Sequence, residues 1–485
     1  MVRKEIDIID PLVKPRLLVL SDIGNEPDDQ QSLVRLMTYL NVLDLEGLIP
    51  TTSMWLPRKI NPHLMERVIK AYGGTPRDNL MIHTGDYFLT EEELLALMKH
   101  ALPKYGMAGV GPNQDSEGSE WIIHVVDKQD PRPIWITLWG GANCLAQALW
   151  KVKETRSKEE LDEFVKKIRV YSHVDQDNSA PWIRKEFPNL FYVASPFPEV
   201  PHHERKFIVK GRWRHLINFG RFGIKALKNH RKATWAGISG ELIYRFKGGP
   251  NSKIITNKWL DENVRNNHGP LGKVYPKTLV AMETDTQTYL WLIPNGLRSS
   301  QSPTYGGWGG RYDLYTPEGE FRPIYSDSED TVVVGDGLGE IKGDKPGVYT
   351  VNQATIWRWR EGYQHDFAAR IDWASTPNYK NANHPPLVVV QGELDRDVKS
   401  SEIISLDASG TSDPDGDSLL YYWFHYKEAG SYDGNVTIEN PSSETTTLMF
   451  NDKNKSGTVH VILEVKDTGK PCLHRYARLI LKVIN

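Results

Sequence analysis

The spacing of apolar residues changes character several times along the chain. Residues 17–20 read Leu-Leu-Val-Leu, a short continuous apolar run that predicts a strand buried on both faces. Beyond Gln30, apolar residues recur at Leu33, Val34, Leu36, Met37 and Leu40, the spacing of an amphipathic helix. The same alternation continues. It predicts strands at 16–21, 45–52, 79–84, 133–139, 168–174 and 190–195, and helices at 28–40, 61–72, 90–101, 116–129, 143–155, 157–167 and 179–187. Thr90 with Glu93, and Ser157 with Glu160, have the spacing of capping boxes. Strands alternating with helices predict an α/β fold, a mostly parallel open sheet with helices on both faces. Right-handed crossovers then bring all strand-to-helix loops to one edge of the sheet.

Past residue 296 the pattern becomes loop-like and glycine-rich, with Tyr305-Gly306-Gly307-Trp308-Gly309-Gly310-Arg311-Tyr312, and a helix-like segment follows carrying Trp357, Trp359, Tyr363, Phe367 and Trp373. Asn383-His384-Pro385-Pro386 reads as a linker. Beyond it, short runs such as Leu387–Val390, Ile403–Leu406, Leu420–Phe424 and Val459–Val465 alternate with turn clusters, which predicts an all-β immunoglobulin-like sandwich. The expected division is an α/β domain over 1–300, a Gly/Trp-rich extension packing on it over 301–386, and the sandwich over 387–485.

At 485 residues the chain exceeds one ordinary core. A net charge of −3 argues against nucleic acid as a partner. No window approaches the roughly 18 apolar residues of a membrane span. Cys144 and Cys472 fall in different expected domains, so no disulfide framework is available. Aromatic residues reach 10 %, with 15 Trp, and their flat faces suit sugar rings and bases as well as cores. The first residues lack the apolar run of a secretion signal, which fits either a cytoplasmic protein or one whose signal has been removed.

The candidate chemistry lies where the first strand ends. Ser21-Asp22-Ile23-Gly24-Asn25-Glu26-Pro27-Asp28-Asp29 places four carboxylates in a loop between strand and helix. One Asp there answers a helix N-terminus. Two consecutive Asp, with Glu26 and Asp22, exceed what capping needs, and clustered anions are most simply held by a hard divalent cation. Other strand ends on the same edge carry polar groups: Trp139-Gly140-Gly141-Ala142-Asn143, then Asp175-Gln176-Asp177-Asn178 with Trp182, then Glu283-Thr284-Asp285. In open α/β sheets ligands bind along this edge.

Ser21-Asp22 with Asp28-Asp29 resembles the D-x-D-P-G-x-D-D signature of the inosine-uridine-preferring nucleoside hydrolases, and Leu138–Asn143 resembles their second motif. The chain is similar over nearly its whole length to a divergent, cellulose-binding branch of that superfamily. The motifs that carry this are Asp22–Gln30, Asp175-Gln176-Asp177, Ile293-Pro294-Asn295-Gly296-Leu297 and Gly306–Tyr312. The resemblance implies Ca2+ held by Asp22, Asp29, the Ala142 carbonyl and Asp285. It implies Asp28 on a sugar hydroxyl and the Asp175–Asn178 loop at the sugar's far end. The chain departs from the family in having five residues between Asp22 and Asp28, Leu20 in place of the first Asp, and Thr284 rather than His before Asp285.

These readings lead to an expected calcium-dependent hydrolase of a glycosidic or N-glycosidic bond, acting on a furanose-like or plant-derived sugar. Asp22 is the expected general base. Asp28, Asn143, Asp175, Gln176, Asp177, Trp182 and Trp308 are the expected substrate contacts, with Trp55 and Trp139 as further stacking candidates. The alternative is a non-catalytic protein that binds cellulose or another plant glycan on the same scaffold. His83, His173 and His202-His203 are weaker candidates for a leaving-group acid, each as well explained by a structural role. Asp413, Asp415 and Asp417, in a stretch resembling polycystic-kidney-disease-type domains, fit either a second calcium or a solvated turn. That module favours an extracellular or periplasmic location.

Overall fold

The computed structural model describes residues 13–24, 26–194, 238, 252–278, 281, 283–317, 320–337, 339–343 and 346–484. Its centre is a seven-stranded sheet in the order β2-β1-β3-β4-β5-β7-β6. The strands are β1 (Arg16–Ser21), β2 (Asp44–Pro50), β3 (Ile134–Leu138), β4 (Ile168–Ser172), β5 (Phe191–Ala194), β6 (Tyr312–Tyr315) and β7 (Ile324–Asp327). All pairings are parallel except β6 with β7. Sheet and helices together give the expected α/β architecture. Strands β6 and β7, from the glycine-rich extension, complete the edge of this sheet.

Leu17 and Val19 point into one core, with Trp135, Trp139 and Tyr171, while Leu18 and Leu20 point into the other, with Ile136 and Leu138. That two-sided burial explains why β1 is apolar at every central position. The helices α1 (Asp28–Met37), α2 (Pro62–Tyr72), α3 (Thr75–Thr84), α4 (Glu91–Leu97), α5 (Glu117–Asp127), α6 (Asn143–Thr155), α7 (Lys158–Lys166) and α8 (Ser179–Glu186) cover the faces. Both expected capping boxes form, and Ser116 with Ser119 makes a third.

One element differs from expectation. Residues 79–84, read as a strand, form the second half of α3. Pro76 sits in the first turn of that helix, where its missing N–H is harmless. Leu80 and His83 are buried while Ile82 is exposed, so the apolar run was one side of a helix rather than a two-sided strand. His83 accordingly stacks on Trp373, Tyr379 and His384 instead of ending a strand.

Two further helices matter below: α9 (Gln287–Leu290) and α10 (Arg360–Ser375). An antiparallel pair, β8 (Asp330–Val334) with β9 (Gly347–Val351), follows the main sheet, and the C-terminal region is all-β. Its four-stranded sheet has the order β10-β16-β15-β12 and its three-stranded sheet β11-β14-β13. The strands are β10 (Asp395–Lys399), β11 (Ile403–Asp407), β12 (Leu419–His425), β13 (Val436–Ile438), β14 (Thr445–Phe450), β15 (Gly457–Asp467) and β16 (His474–Ile484). Alternation along β15 sends Val459, Val461, Leu463 and Val465 into the sandwich core. Ile462, on the opposite face, packs with Tyr426, Leu473 and Tyr476 into the same cluster as Trp308, Trp359 and Tyr363. Arg478 fastens the contact, donating to the carbonyls of Leu297 (2.6 Å), Tyr305 (2.8 Å) and Gly306 (2.9 Å).

Candidate functional site

Strand order places β1 between β2 and β3, so successive crossovers leave in opposite directions at the carboxyl ends of β1 and β3. Such a switch point opens a crevice in doubly wound sheets. Asp22 follows β1 and Gly140-Gly141 follow β3 at this position. The chain turns after Asp22 through Gly24, whose φ of +98° suits glycine. A Cβ on Gly140 would lie 2.8 Å from Asp22 Cβ and 2.9 Å from Asp22 N, so glycine is needed for the two loops to meet.

Asp28, Asp29 and Asp285 converge here, one carboxylate oxygen from each lying within 4.8 Å of the others. All three are buried, as is Asp22. Asp28 does not cap its helix: Pro27 occupies that position and no side chain caps the turn. Ser21 Oγ donates to Asp29 Oδ1, Thr284 Oγ1 to Asp28 Oδ2, and Ser53 Oγ to Asp22 Oδ2. Asp28 Oδ1 and both oxygens of Asp285 are buried with no hydrogen-bond partner.

Burial pushes the Asp22 carboxyl up to about 7, with the Ser53 hydroxyl opposing the rise and the Asp28 charge adding to it. Burial likewise raises Asp29 and Asp285, and neighbouring carboxylates raise both further. Burial also raises Asp28, against hydrogen bonds from Thr284 and the backbone, and it raises Glu26 with help from Asp28 and Asp22. Five acids thus share one poorly solvated space among the described residues, and none has a Lys or Arg partner there. A group of hard oxygen donors with orphaned lone pairs fits a calcium-sized cation.

The Asp285 segment is held from behind. Glu283, at φ +29°, is fully buried and pairs with Arg35 through Nε and Nη2. Tyr275 and Thr286 hydroxyls also donate to it, at 2.6 and 2.8 Å. An unfavourable backbone angle at a fully bonded residue is the kind of strain that surrounding structure sustains near functional sites.

Several expected substrate contacts turn out to be supports. Asn143 accepts from Thr51 Oγ1 (2.9 Å) and donates to the Lys104 carbonyl (2.8 Å). Asp175 spends both oxygens on Arg184, at 2.8 and 2.7 Å. Asp177 accepts from Ser179 through Oδ1 and from the Asn143 amide through Oδ2. These hydrogen bonds lock the β3 and β4 loops together and commit the three side chains first to the protein's own groups. Trp308 is fully buried against Tyr476, with ring centroids 6.4 Å apart, so it has no face to offer. Trp139 is also core, its Nε1 donating to Thr288. Trp182 sets its edge on Phe187 in the opposite core. Trp55 remains half-buried near the site, its amide on the same Ser53 hydroxyl that holds Asp22. The Ala142 carbonyl accepts the Ala146 amide at 2.9 Å, and a carbonyl keeps a second lone pair. His202 and His203 lie outside the described residues.

Gln176 and His173 add polar atoms on the same edge. Gln176 Nε2 donates to the Trp139 carbonyl and leaves Oε1 unpartnered. His173 Nδ1 accepts from Gln287 Nε2 at 2.9 Å, which leaves the proton on Nε2, a buried atom with no acceptor. Burial holds this imidazole down at about 3, hence neutral. Gln287 gave no sequence signal beyond lying two residues after Asp285. Ser21 and Ser53 gave only their positions at strand ends.

Sheet order and site together define a nucleoside hydrolase-like α/β protein with an appended β-sandwich. The chain belongs to the cellulose-binding Sde182 family: the family's nucleoside hydrolase-like domain matches residues 16–312, and the C-terminal domain of cellulose-binding protein Sde0182 matches residues 403–483. A nucleoside hydrolase-related protein from Saccharophagus degradans, described as associated with carbohydrate metabolism, is 33% identical with a TM-score of 0.75. That match covers 97% of this chain and 100% of the other. The effector XOO4466 (12% identity, 66% of this chain and 89% of the other) and the effector XopQ, solved with adenosine diphosphate ribose (13% identity, 76% and 96%), both align at a TM-score of only 0.29. No curated protein matches. No helix among the described residues is long and apolar enough to cross a membrane.

Proposed function

We propose that the switch-point carboxylates hold one calcium ion and that the protein uses it to bind a carbohydrate through neighbouring hydroxyls and to hydrolyse a glycosidic or N-glycosidic bond. The observation that carries this reading is Asp285: two buried, unpartnered oxygens beside the carboxylates of Asp28 and Asp29. Asp22, Asp29 and Asp285 would hold the ion, with the Ala142 carbonyl as a further donor. Bound there, calcium would supply chelation of a sugar diol and orientation of a water.

The protein's own groups divide the remaining work. Asp28 keeps Oδ1 for a sugar hydroxyl while Thr284 fixes its other oxygen. Asp22, oriented by Ser53, takes the proton as the water's oxygen bonds to the anomeric carbon and the bond to the leaving group breaks. The carboxylates around the ring stabilise the positive charge that develops on it. His173 Nε2 offers a neutral donor for positioning.

A second reading, binding without turnover, draws support from the family's description as cellulose-binding. A screen of nucleosides, aryl glycosides and plant oligosaccharides with and without calcium separates the two. Calcium-dependent release that falls by roughly 10²–10⁴ in Asp22→Asn, with calcium occupancy retained, supports hydrolysis. Oligosaccharide binding with no turnover of any substrate supports the binding reading.

A further inference from the structure

A second cluster of metal-ligating side chains, sharing no residue with the switch point, lies where α10 meets the C-terminal sheet. Glu361 and His365 are four residues apart on α10 and so share one helix face. His474 opens β16 opposite them. One ligand atom from each of the three lies within 4.8 Å of the others. The groups around them fix which nitrogen is available. Glu464 Oε1 sits 2.9 Å from His474 Nδ1, and the Cys472 carbonyl sits 2.9 Å from His365 Nδ1. Both acceptors call for a proton on Nδ1, which leaves the lone pair of each ring on Nε2. His474 Nε2 then faces Glu361 Oε2 at 3.9 Å.

A carboxylate behind a histidine, with that histidine's other nitrogen turned to a shared point, is the outer-shell arrangement that orients metal-bound imidazoles. Cys472 lies just outside the set, its thiol 3.1 Å from the Asp467 carbonyl and 3.9 Å from His474 Nε2. A cavity of about 590 Å³ is lined by Glu361, His474, Glu464 and Cys472. The present counter-charge is Lys466, whose Nζ is 3.3 Å from Glu361 Oε2 and 3.7 Å from Glu464 Oε2. Its side chain is partly exposed and can swing aside.

We infer that Glu361, His365 and His474 form a site for a zinc-class transition metal, distinct from the carboxylate cluster, with a coordination position open to the adjoining cavity. Two imidazoles and one carboxylate suit zinc, and three protein ligands with an open position are the set used where water or a further ligand completes the shell. Lys466 and the metal compete for Glu361, so the ammonium acts as the stand-in cation when the metal is absent.

The test uses the full chain, stripped with chelator and returned to excess calcium so that the carboxylate cluster does not compete. Equilibrium dialysis with zinc, and a cobalt(II) titration followed by visible absorption, should show one tightly held ion in a four-coordinate field. His365→Ala should weaken binding at least about 100-fold, and Glu464→Gln about 10- to 100-fold, the range for outer-shell partners. Glu361→Gln provides a second ligand variant should His365→Ala fold poorly. Lys466→Met should tighten binding, an effect that a purely structural ion pair would not produce. Absence of zinc and cobalt binding at micromolar metal, or binding unchanged in both ligand variants, overturns the inference.

Discussion

Two oxygens on Asp285 and one on Asp28 are buried without a donor, and such a deficit costs about 1–3 kcal/mol for each group left unanswered. A bound cation removes it. The close approach of Gly140 to Asp22 makes a related point testable, because Gly140→Ala drives a methyl into the Asp22 backbone and side chain. The expected cost is about 1–3 kcal/mol, the range for overpacking. Thermal melts with and without calcium should also show a smaller calcium-induced rise in the variant, since Asp22 must move. At this scale the carboxylates were legible because four acids in one short loop are a compositional anomaly. Asn143, Asp175 and Asp177 were not. Sequence places a polar residue at a strand end, but only three-dimensional packing shows that Thr51, Arg184 or Ser179 has already taken its hydrogen bonds.

Between elements, the contact of α10 with β16 joins the two halves of the chain. Asp366 on α10 meets Arg475 at 2.8 Å and Arg370 at 2.9 Å, and the Tyr39 hydroxyl at 2.7 Å. Burial alone would raise its carboxyl, but Arg475, Arg370 and Tyr39 outweigh that and hold it down at about 2. A depressed acid stabilises the fold above its unfolded value, and the contribution fades as pH falls from about 4 to about 2. Urea titrations should therefore find wild type more stable than Asp366→Asn by about 2 kcal/mol near neutrality, with the gap closing across that acid window. A gap that persists unchanged at pH 2 contradicts this account. Residues 387–485 expressed alone should give a β-sheet circular-dichroism spectrum, yet bind a hydrophobic dye through the uncovered Tyr426, Ile462, Leu473 and Tyr476. A clean, dye-free fragment would show that this face needs no cover.

The strand-and-helix period was readable wherever burial was one- or two-sided in a simple way, as in β1 and α1. It misled at residues 79–84, because a short apolar run has the same look in a strand and in a helix. The Ile293–Leu297 and Gly306–Tyr312 motifs were readable only as family marks. Their physical role lies in carbonyls that receive Arg478 and in Trp308 beneath Tyr476, contacts with partners about 170–180 residues away in sequence.

For the whole molecule, the sheet's switch point gathers acids from the loop after β1, from α1 and from the segment before α9, while the β-sandwich packs against the same core. The central claim is that this gathering exists to hold calcium for a sugar ligand. Calorimetric titration of calcium into chelator-treated wild type and Asp285→Asn tests it most directly. Asn keeps the size of the side chain and removes its charge, so folding should survive, as a melt in chelator will verify. The account predicts one calcium bound by wild type and affinity at least about tenfold weaker in Asp285→Asn, the loss of about 1.4 kcal/mol or more expected when a charged ligand becomes neutral. Equal calcium affinity in the two proteins, or no calcium uptake by wild type, would contradict it.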